Sequence, residues 1–277
     1  MASIDEQPSP PPVFQLTNVW KSFDGRPVLR GIDLSIPVGG TLVVMGPSGC
    51  GKSVMLKHLV GLLRPDEGEI RFHGERIDQY SERQLVAVRR RIGFLFQQAA
   101  LFDSLTVRDN VSFPLRETGQ AGPDLEARVR ETLDRVGLVE ALDRMPAELS
   151  GGMRKRVGLA RAIVLNPELI LYDEPTTGLD PIRANVINDL IVRLQRELSI
   201  TSVVVTHDLD SAFQVADQMI LLHQGRVRAL GTPDEIRVSE DPVVRGFLEG
   251  QESAAGNLDR LDADTLDDLT PNGKTVS

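Results

Sequence analysis

Gly46-Pro47-Ser48-Gly49-Cys50-Gly51-Lys52-Ser53 lies between a short apolar run, Thr41–Met45, and a helix-like stretch that reaches to about Leu63. The spacing G-x-x-x-x-G-K-S is that of a phosphate-binding loop. Its glycines let the backbone curl so that successive N–H groups turn inward on phosphate oxygens. The helix that follows adds the positive end of its dipole. Lys52 can then reach the outer phosphates of a nucleotide, and the Ser53 hydroxyl can ligate Mg²⁺. Cys50 reads as a small residue that fits the loop. A continuous apolar strand feeding such a loop is the pattern of a sheet buried on both faces. This stretch therefore selects an α/β fold.

Working outward, Phe14–Val19 and Val28–Ile36 alternate with period two, with Ile32, Leu34 and Ile36 on one face, which predicts a half-buried antiparallel sheet. Downstream, Glu168–Tyr172 and Thr201–Thr206 read as two further buried strands, with a helix between them from Pro181 to about Leu198. Met219–His223 and Arg226–Leu230 flank Gln224-Gly225 as a hairpin. Pro123–Val136 sets Leu125, Val129, Leu133 and Val136 on one helical face, opened by proline and closed by Gly137. There is no internal repeat. The expected architecture is an α/β core over 13–250, with an antiparallel β flank and a helical insertion at about 98–160.

The chain of 277 residues has 41% hydrophobic and 26% charged side chains, which excludes collagen-like and wholly disordered classes. Its one cysteine excludes an intramolecular disulfide framework and a cysteine-built zinc site, and suits a reduced compartment. No run approaches the roughly 18 apolar residues needed to cross a bilayer. Residues 1–12 are acidic and proline-rich without a basic start, so they read as a flexible leader and not as a secretory signal. The net charge of −9 is concentrated at the ends: 251–277 holds six acids against Arg260 and Lys274, a net of −4. A nearly balanced middle with acidic ends argues against a nucleic-acid binder. Leu258, Leu261, Leu266 and Leu269 fall within about 140° of a helical wheel, so the acidic tail is either disordered or a short docking helix.

Two more motifs carry chemistry. Leu169-Ile170-Leu171-Tyr172-Asp173-Glu174 is an apolar strand ending in two acids, delivered to the sheet edge where α/β folds bind ligands. Asp173 is placed to hold Mg²⁺ and Glu174 to orient or deprotonate an attacking water. Leu149-Ser150-Gly151-Gly152-Met153 opens a helix carrying Arg154, Lys155, Arg156 and Arg161. Its small residues would make a second anion site; alone, a serine cap followed by a solvated basic face is the plainer reading, but beside the other two motifs the anion site is preferred.

This trio resembles the ATP-binding-cassette (ABC) ATPases over about residues 13–250, which implies a P-loop NTPase with a RecA-like core. The resemblance implies ATP and Mg²⁺ as cofactors and assigns further residues. Phe23 matches the aromatic that stacks on adenine, and Gln97 the glutamine linking metal and water to the helical subdomain. Asp180, in Gly178-Leu179-Asp180, matches the loop that crosses the dimer interface. His207 matches the histidine at the γ-phosphate. The family geometry is a head-to-tail homodimer in which Ser150, Gly151 and Gly152 of one copy close over ATP on Lys52 of the other. Met153 departs from the family's usual glutamine.

That departure, the segment Gln98–Glu117 and Asp241–Gly250 resemble the Mla/Mce-type branch, which powers phospholipid or hydrophobic-lipid traffic between bacterial membranes. The branch implies a separate permease of the MlaE type, a partner with an MCE domain and, in some members, a STAS-domain subunit. It implies a peripheral location on the cytoplasmic face of the inner membrane. An importer ATPase for a small solute such as an amino acid is the nearest alternative. A GTPase is disfavoured because no asparagine is followed by lysine, and a cassette that binds ATP without turnover is disfavoured by Glu174 and His207.

Overall fold

β1 (Phe14–Phe23) and β2 (Arg26–Ile36) pair antiparallel around Asp24-Gly25, both at positive φ (50° and 75°). This is the geometry of a tight hairpin turn that matches strand twist. With β4 (Glu67–Phe72) and the two-residue β5 (Glu75–Arg76) they make a four-stranded sheet, ordered β2-β1-β4-β5. Ile32, Leu34 and Ile36 are buried and alternate with more exposed neighbours, so the period-two pattern is realised as one covered face. The computed structural model describes residues 11–120 and 122–250. The first ten residues and the 251–277 segment, with its leucine wheel, lie outside the described residues.

The second sheet has six strands: β3 (Thr41–Met45), β6 (Ile92–Leu95), β7 (Leu169–Asp173), β8 (Thr201–Val205), β9 (Gln218–His223) and β10 (Arg226–Gly231). Their order is β10-β9-β3-β8-β7-β6, with every pairing parallel except that of β9 with β10. β3 shows why such strands read as unbroken apolar runs. Val43 and Met45 enter one hydrophobic core, while Leu42 and Val44 enter the other. The first core lies under the long helices; the second is shared with the antiparallel sheet and α1 (Lys52–Leu59).

α1 ends four residues before the sequence pattern suggested. Gly61 adopts φ 64°, and Leu62 N–H donates to the Lys57 carbonyl at 2.8 Å, the six-to-one closure of a glycine-terminated helix. α2 (Glu82–Arg89) precedes β6. The region between β6 and β7 is helical: α3 (Val107–Glu117), α4 (Leu125–Arg135), two 3₁₀ turns, then α5 (Gly151–Ile163). Val129, Leu133 and Val136 of the expected α4 face are buried, and Gly137 at φ 66° ends the helix.

α5 returns to the sheet at close range. A Cβ on Gly93 would lie 2.6 Å from the Ala162 carbonyl, and one on Gly158 would lie 2.9 Å from Leu95. α6 (Pro181–Leu198) joins β7 to β8, and α7 (Leu209–Val215) joins β8 to β9. α8 (Pro233–Arg237) and α9 (Pro242–Leu248) follow β10. Among the described residues no helix is long and apolar enough to cross a membrane.

Candidate functional site

The carboxyl ends of β3, β6, β7 and β8 meet on one edge of the parallel sheet, the edge at which open α/β sheets bind ligands. A cleft of about 330 Å³ opens there. Ser48, Gly49, Gly51, Lys52 and Ser53 line it from the phosphate loop, Gln97 from the segment after β6, Asp173 and Glu174 from the end of β7, and His207 from beyond β8. Val28 and Val54 supply apolar wall.

The loop's path demands glycine where the chain turns hardest. Gly46 has φ 147°, and a Cβ there would stand 2.1 Å from the Leu222 carbonyl; Gly51 has φ 110° and abuts Leu29. Gly51 also stands at the N-cap of α1, so no side chain caps the helix, and its first turn carries no acid. The positive end of the helix dipole is thus kept for an external anion. Lys52 is buried, its ammonium donating to the Gly46 carbonyl at 2.7 Å and the Pro47 carbonyl at 3.0 Å. The Cys50 side chain is also buried, which pushes its thiol pKa up and suits a filler rather than a nucleophile.

Ser53 Oγ donates to Asp173 Oδ1 at 3.2 Å, joining the loop to the end of β7. Burial pushes the Asp173 carboxyl above its usual range, with the neighbouring Glu174 charge acting in the same direction. Such an oxygen set, serine hydroxyl and under-compensated carboxylate with an amide side chain in the same cleft, suits a hard cation that keeps phosphate and water ligands. Among the described residues no cluster of three or more His, Cys, Asp or Glu could hold a metal alone. The fit is therefore to a Mg²⁺ ion brought in with phosphate oxygens. Glu174 sits at φ 51°, with its N–H on the Val205 carbonyl. Its Oε2 accepts from His207 Nδ1 at 2.9 Å and from Thr177 Oγ1 at 3.3 Å.

Other residues singled out in the sequence lie elsewhere. Gly46, Pro47 and Cys50 shape the loop without lining the cleft. Phe23 stands at the β1–β2 turn, 42% exposed, with Lys21 Nζ 5.6 Å from its ring centre. Ser150 caps α5, its Oγ accepting from Met153 N–H at 3.3 Å. Gly151 faces Leu179 and Gly152 faces Arg183, so the start of α5 shares a surface with the loop that ends in Asp180. Asp180 caps α6 by accepting from Arg183 N–H at 3.0 Å.

The basic run on α5 is only in part a solvated face: Arg154 is exposed, Lys155 is buried, and Arg156 and Arg161 are half-buried. All four cations donate to backbone carbonyls: Arg154 to Leu149, Lys155 to Gln97 and Glu174, Arg156 to Val136 and Gly137, Arg161 to Ala99 and Ala100. Lys155 is buried, and burial depresses its ammonium pKa, as it does for the Arg156 and Arg161 guanidiniums. The sequence held a signal for this. Lys155 shares a helical face with Gly151, Gly152, Gly158 and Leu159, a face too small and apolar to be solvated.

A phosphate loop closed by its own lysine, with Asp, Glu, Gln and His converging on one sheet edge, defines an ATPase of the cassette type. The chain matches the family model for ABC transporters over residues 29–177 and belongs to that family. It is 44% identical over 226 residues to the intermembrane phospholipid transport system ATP-binding protein MlaF of Escherichia coli K12, covering 81% of this chain and 84% of that protein. It is 42% identical over 238 residues to the probable ribonucleotide transport ATP-binding protein mkl of Mycobacterium tuberculosis H37Rv, covering 86% of this chain and 66% of that one. Among solved structures, the dimeric ATP-binding cassette MJ0796 in a post-hydrolysis state with ADP and Pi aligns with a TM-score of 0.73 at 34% identity, covering 79% of this chain and 98% of that one. The cbiO1 protein of Clostridium perfringens, part of the ABC transporter complex cbiONQ, aligns with a TM-score of 0.77 at 30% identity, covering 90% and 99%.

Proposed function

We propose that this chain is the ATP-hydrolysing subunit of a bacterial ABC transporter that drives phospholipid or other hydrophobic-lipid traffic across the cell envelope through a separate MlaE-like permease. The observation that carries the reading is the convergence of Lys52, Ser53, Gln97, Asp173, Glu174 and His207 on one cleft, in a chain 44% identical to a phospholipid-transport ATPase. The working unit is 13–250, with the helical subdomain at about 98–160 and the leader and acidic tail outside it.

In this reading the backbone of Gly46–Gly51 and the Lys52 ammonium hold the phosphates, Ser53, Asp173 and Gln97 hold Mg²⁺, and Phe23 stacks on adenine. Glu174 takes the proton of the attacking water, with His207 beside it at the γ-phosphate. Ser150, Gly151 and Gly152 lie outside the cleft of their own chain, which supports their serving the cleft of a second copy. The Asp180 loop beside them would then cross a two-fold interface. The similarity to a dimeric cassette supports the same assembly.

An apolar groove of about 360 Å³ beside β6 suits a permease helix, with Phe94 stacked on Phe96 at 4.2 Å and Phe102 against Phe113 at 4.7 Å. An MCE-domain protein and a STAS-domain subunit complete the proposed assembly, peripheral on the cytoplasmic face of the inner membrane. A relative named for ribonucleotide transport makes a soluble solute the competing cargo. Co-purification with an MlaE-like permease, followed by ATP-dependent movement of labelled phospholipid between vesicles, tests the reading. Recovery with a solute permease, or ATPase stimulation by ribonucleotides alone, would overturn the lipid assignment.

A further inference from the structure

Three residues near the cleft that are not glycine adopt left-handed backbone conformations: Ala99 (φ 61°), Ala100 (φ 45°) and Glu174 (φ 51°). Such residues persist where the surroundings over-determine them. Here the carbonyl oxygens of all three are gripped by cations from one helix. Arg161 of α5 donates to Ala99 and Ala100, each at 2.8 Å. Lys155 of α5 donates to Glu174 at 3.1 Å and also to Gln97. Lys155 is 5% exposed, and its ammonium feels the charges of Glu174 and Asp173. A buried lysine is costly to keep unless its donors and charge are answered. This one is answered by the two segments that deliver Gln97 and Glu174.

We propose that Lys155 is a positioning residue for ATP hydrolysis: from the helix that begins with Ser150, it fixes the backbone of Gln97 and Glu174 relative to each other and so sets the aim of the glutamate. The inference deepens the reading of Glu174 given above and rests on it. One ammonium sits between two carbonyls, so a shift of the segment after β6 is felt at the end of β7. A misplacement of about 1 Å at a reacting group can slow turnover by about 100-fold.

The test uses the full-length chain. Lys155→Met fills the space without donors, and Lys155→Arg keeps charge and donors. Steady-state ATPase gives kcat, and a fluorescent ATP analogue gives nucleotide affinity. Lys155→Met is expected to lower kcat at least ten-fold while affinity stays within two-fold, and Lys155→Arg to recover most of the loss. In a Glu174→Gln background, Lys155→Met is expected to lower the residual rate no further, because the group it aims is already gone. Should Lys155→Met not fold, Lys155→Gln, which retains one amide donor, is read by the same criteria. A kcat within two-fold of the parent, a loss of affinity in step with kcat, or an equal further loss in the Glu174→Gln background overturns the proposal. If Glu174→Gln itself keeps turnover, the role of the glutamate falls and the lysine's with it. If Glu174→Gln abolishes turnover while Lys155→Met does not slow it, the lysine's role alone falls.

Discussion

Among the described residues two lysines are buried, Lys52 in the phosphate loop and Lys155 in α5, and each gives its ammonium to two backbone carbonyls. The partners of Lys52 are five and six residues away; those of Lys155 are 19 and 58 residues away. The first arrangement is complete once a short loop has formed. The second exists only after the helical insertion has packed against the sheet. A locally held ammonium can exchange its carbonyls for phosphate oxygens without moving another element. A remotely held one cannot let go without releasing two segments of the site, so its contribution is geometric.

The largest expected effect belongs to the group that Lys155 is proposed to aim. Glu174→Gln should lower turnover by about 10²–10⁴-fold, the range for losing a general base, while leaving ATP bound. Size-exclusion chromatography with ATP should then show a trapped dimer, and a monomer that fails to retain ATP would break the assignment. Next is the local lysine. Lys52→Ala should lower ATPase activity by about 10²–10³-fold, the scale for removing a positioned charge from a phosphoryl-transfer site. A loss of turnover with ATP affinity unchanged would put Lys52 in the same geometric role as its buried counterpart and collapse the contrast.

A smaller effect, on stability, separates the loop's path from its chemistry. Gly46→Ala sets a Cβ 2.1 Å from the Leu222 carbonyl, whereas Gly49→Ala meets nothing within 4 Å. Urea denaturation should show a loss of about 3 kcal/mol or more for the first. For the second the loss should be about 1 kcal/mol, since only its positive φ is strained. Equal losses would mean the loop relaxes, and Lys52 with it.

The smallest effect sets a baseline from an exposed ion pair. Glu168 bonds Arg91 through two oxygens and lies 2.9 Å from His73; the Arg91 hydrogen bonds hold its carboxyl below the usual range. A depressed carboxylate stabilises the fold above its unfolded pKa of about 4.3, and that contribution is lost as pH falls through the lower folded value. Glu168→Gln should therefore cost less than about 1 kcal/mol at pH 7, because the pair is half-exposed. It should cost still less at pH values below the folded pKa. The same loss at both pH values would show that the pair acts by packing and not by charge.

The legibility of the sequence followed the same division between local and remote. Thr41–Met45 and Pro181–Leu198 are a strand and a helix with those bounds, because a run buried on both faces and a capped amphipathic helix carry their signals within themselves. The phosphate loop, the acids closing β7 and the β9–β10 hairpin were legible for the same reason. β6 carries no strand signal of its own, since four residues are too few to show a period. β5, with two residues, exists only by pairing with β4. That Gln97, Glu174 and Lys155 meet could not be read from spacing, since three elements far apart in the chain bring them together. The burial of Lys155 is legible only from its helical face, because in the linear sequence it is one of a run of cations.

A carbonyl oxygen is present whatever residue occupies a position. The grip of Lys155 and Arg161 on Gln97, Ala99, Ala100 and Glu174 therefore uses no side-chain atom at those places. The segment that follows Gln97 borders the aromatic groove proposed to receive a permease. An exposed side chain there, such as Phe102, can be exchanged without touching the carbonyls that anchor the backbone, whereas Ala99 is buried. If the groove receives the permease as proposed, grafting the 98–113 segment from another cassette should transfer partner choice more readily than it alters turnover.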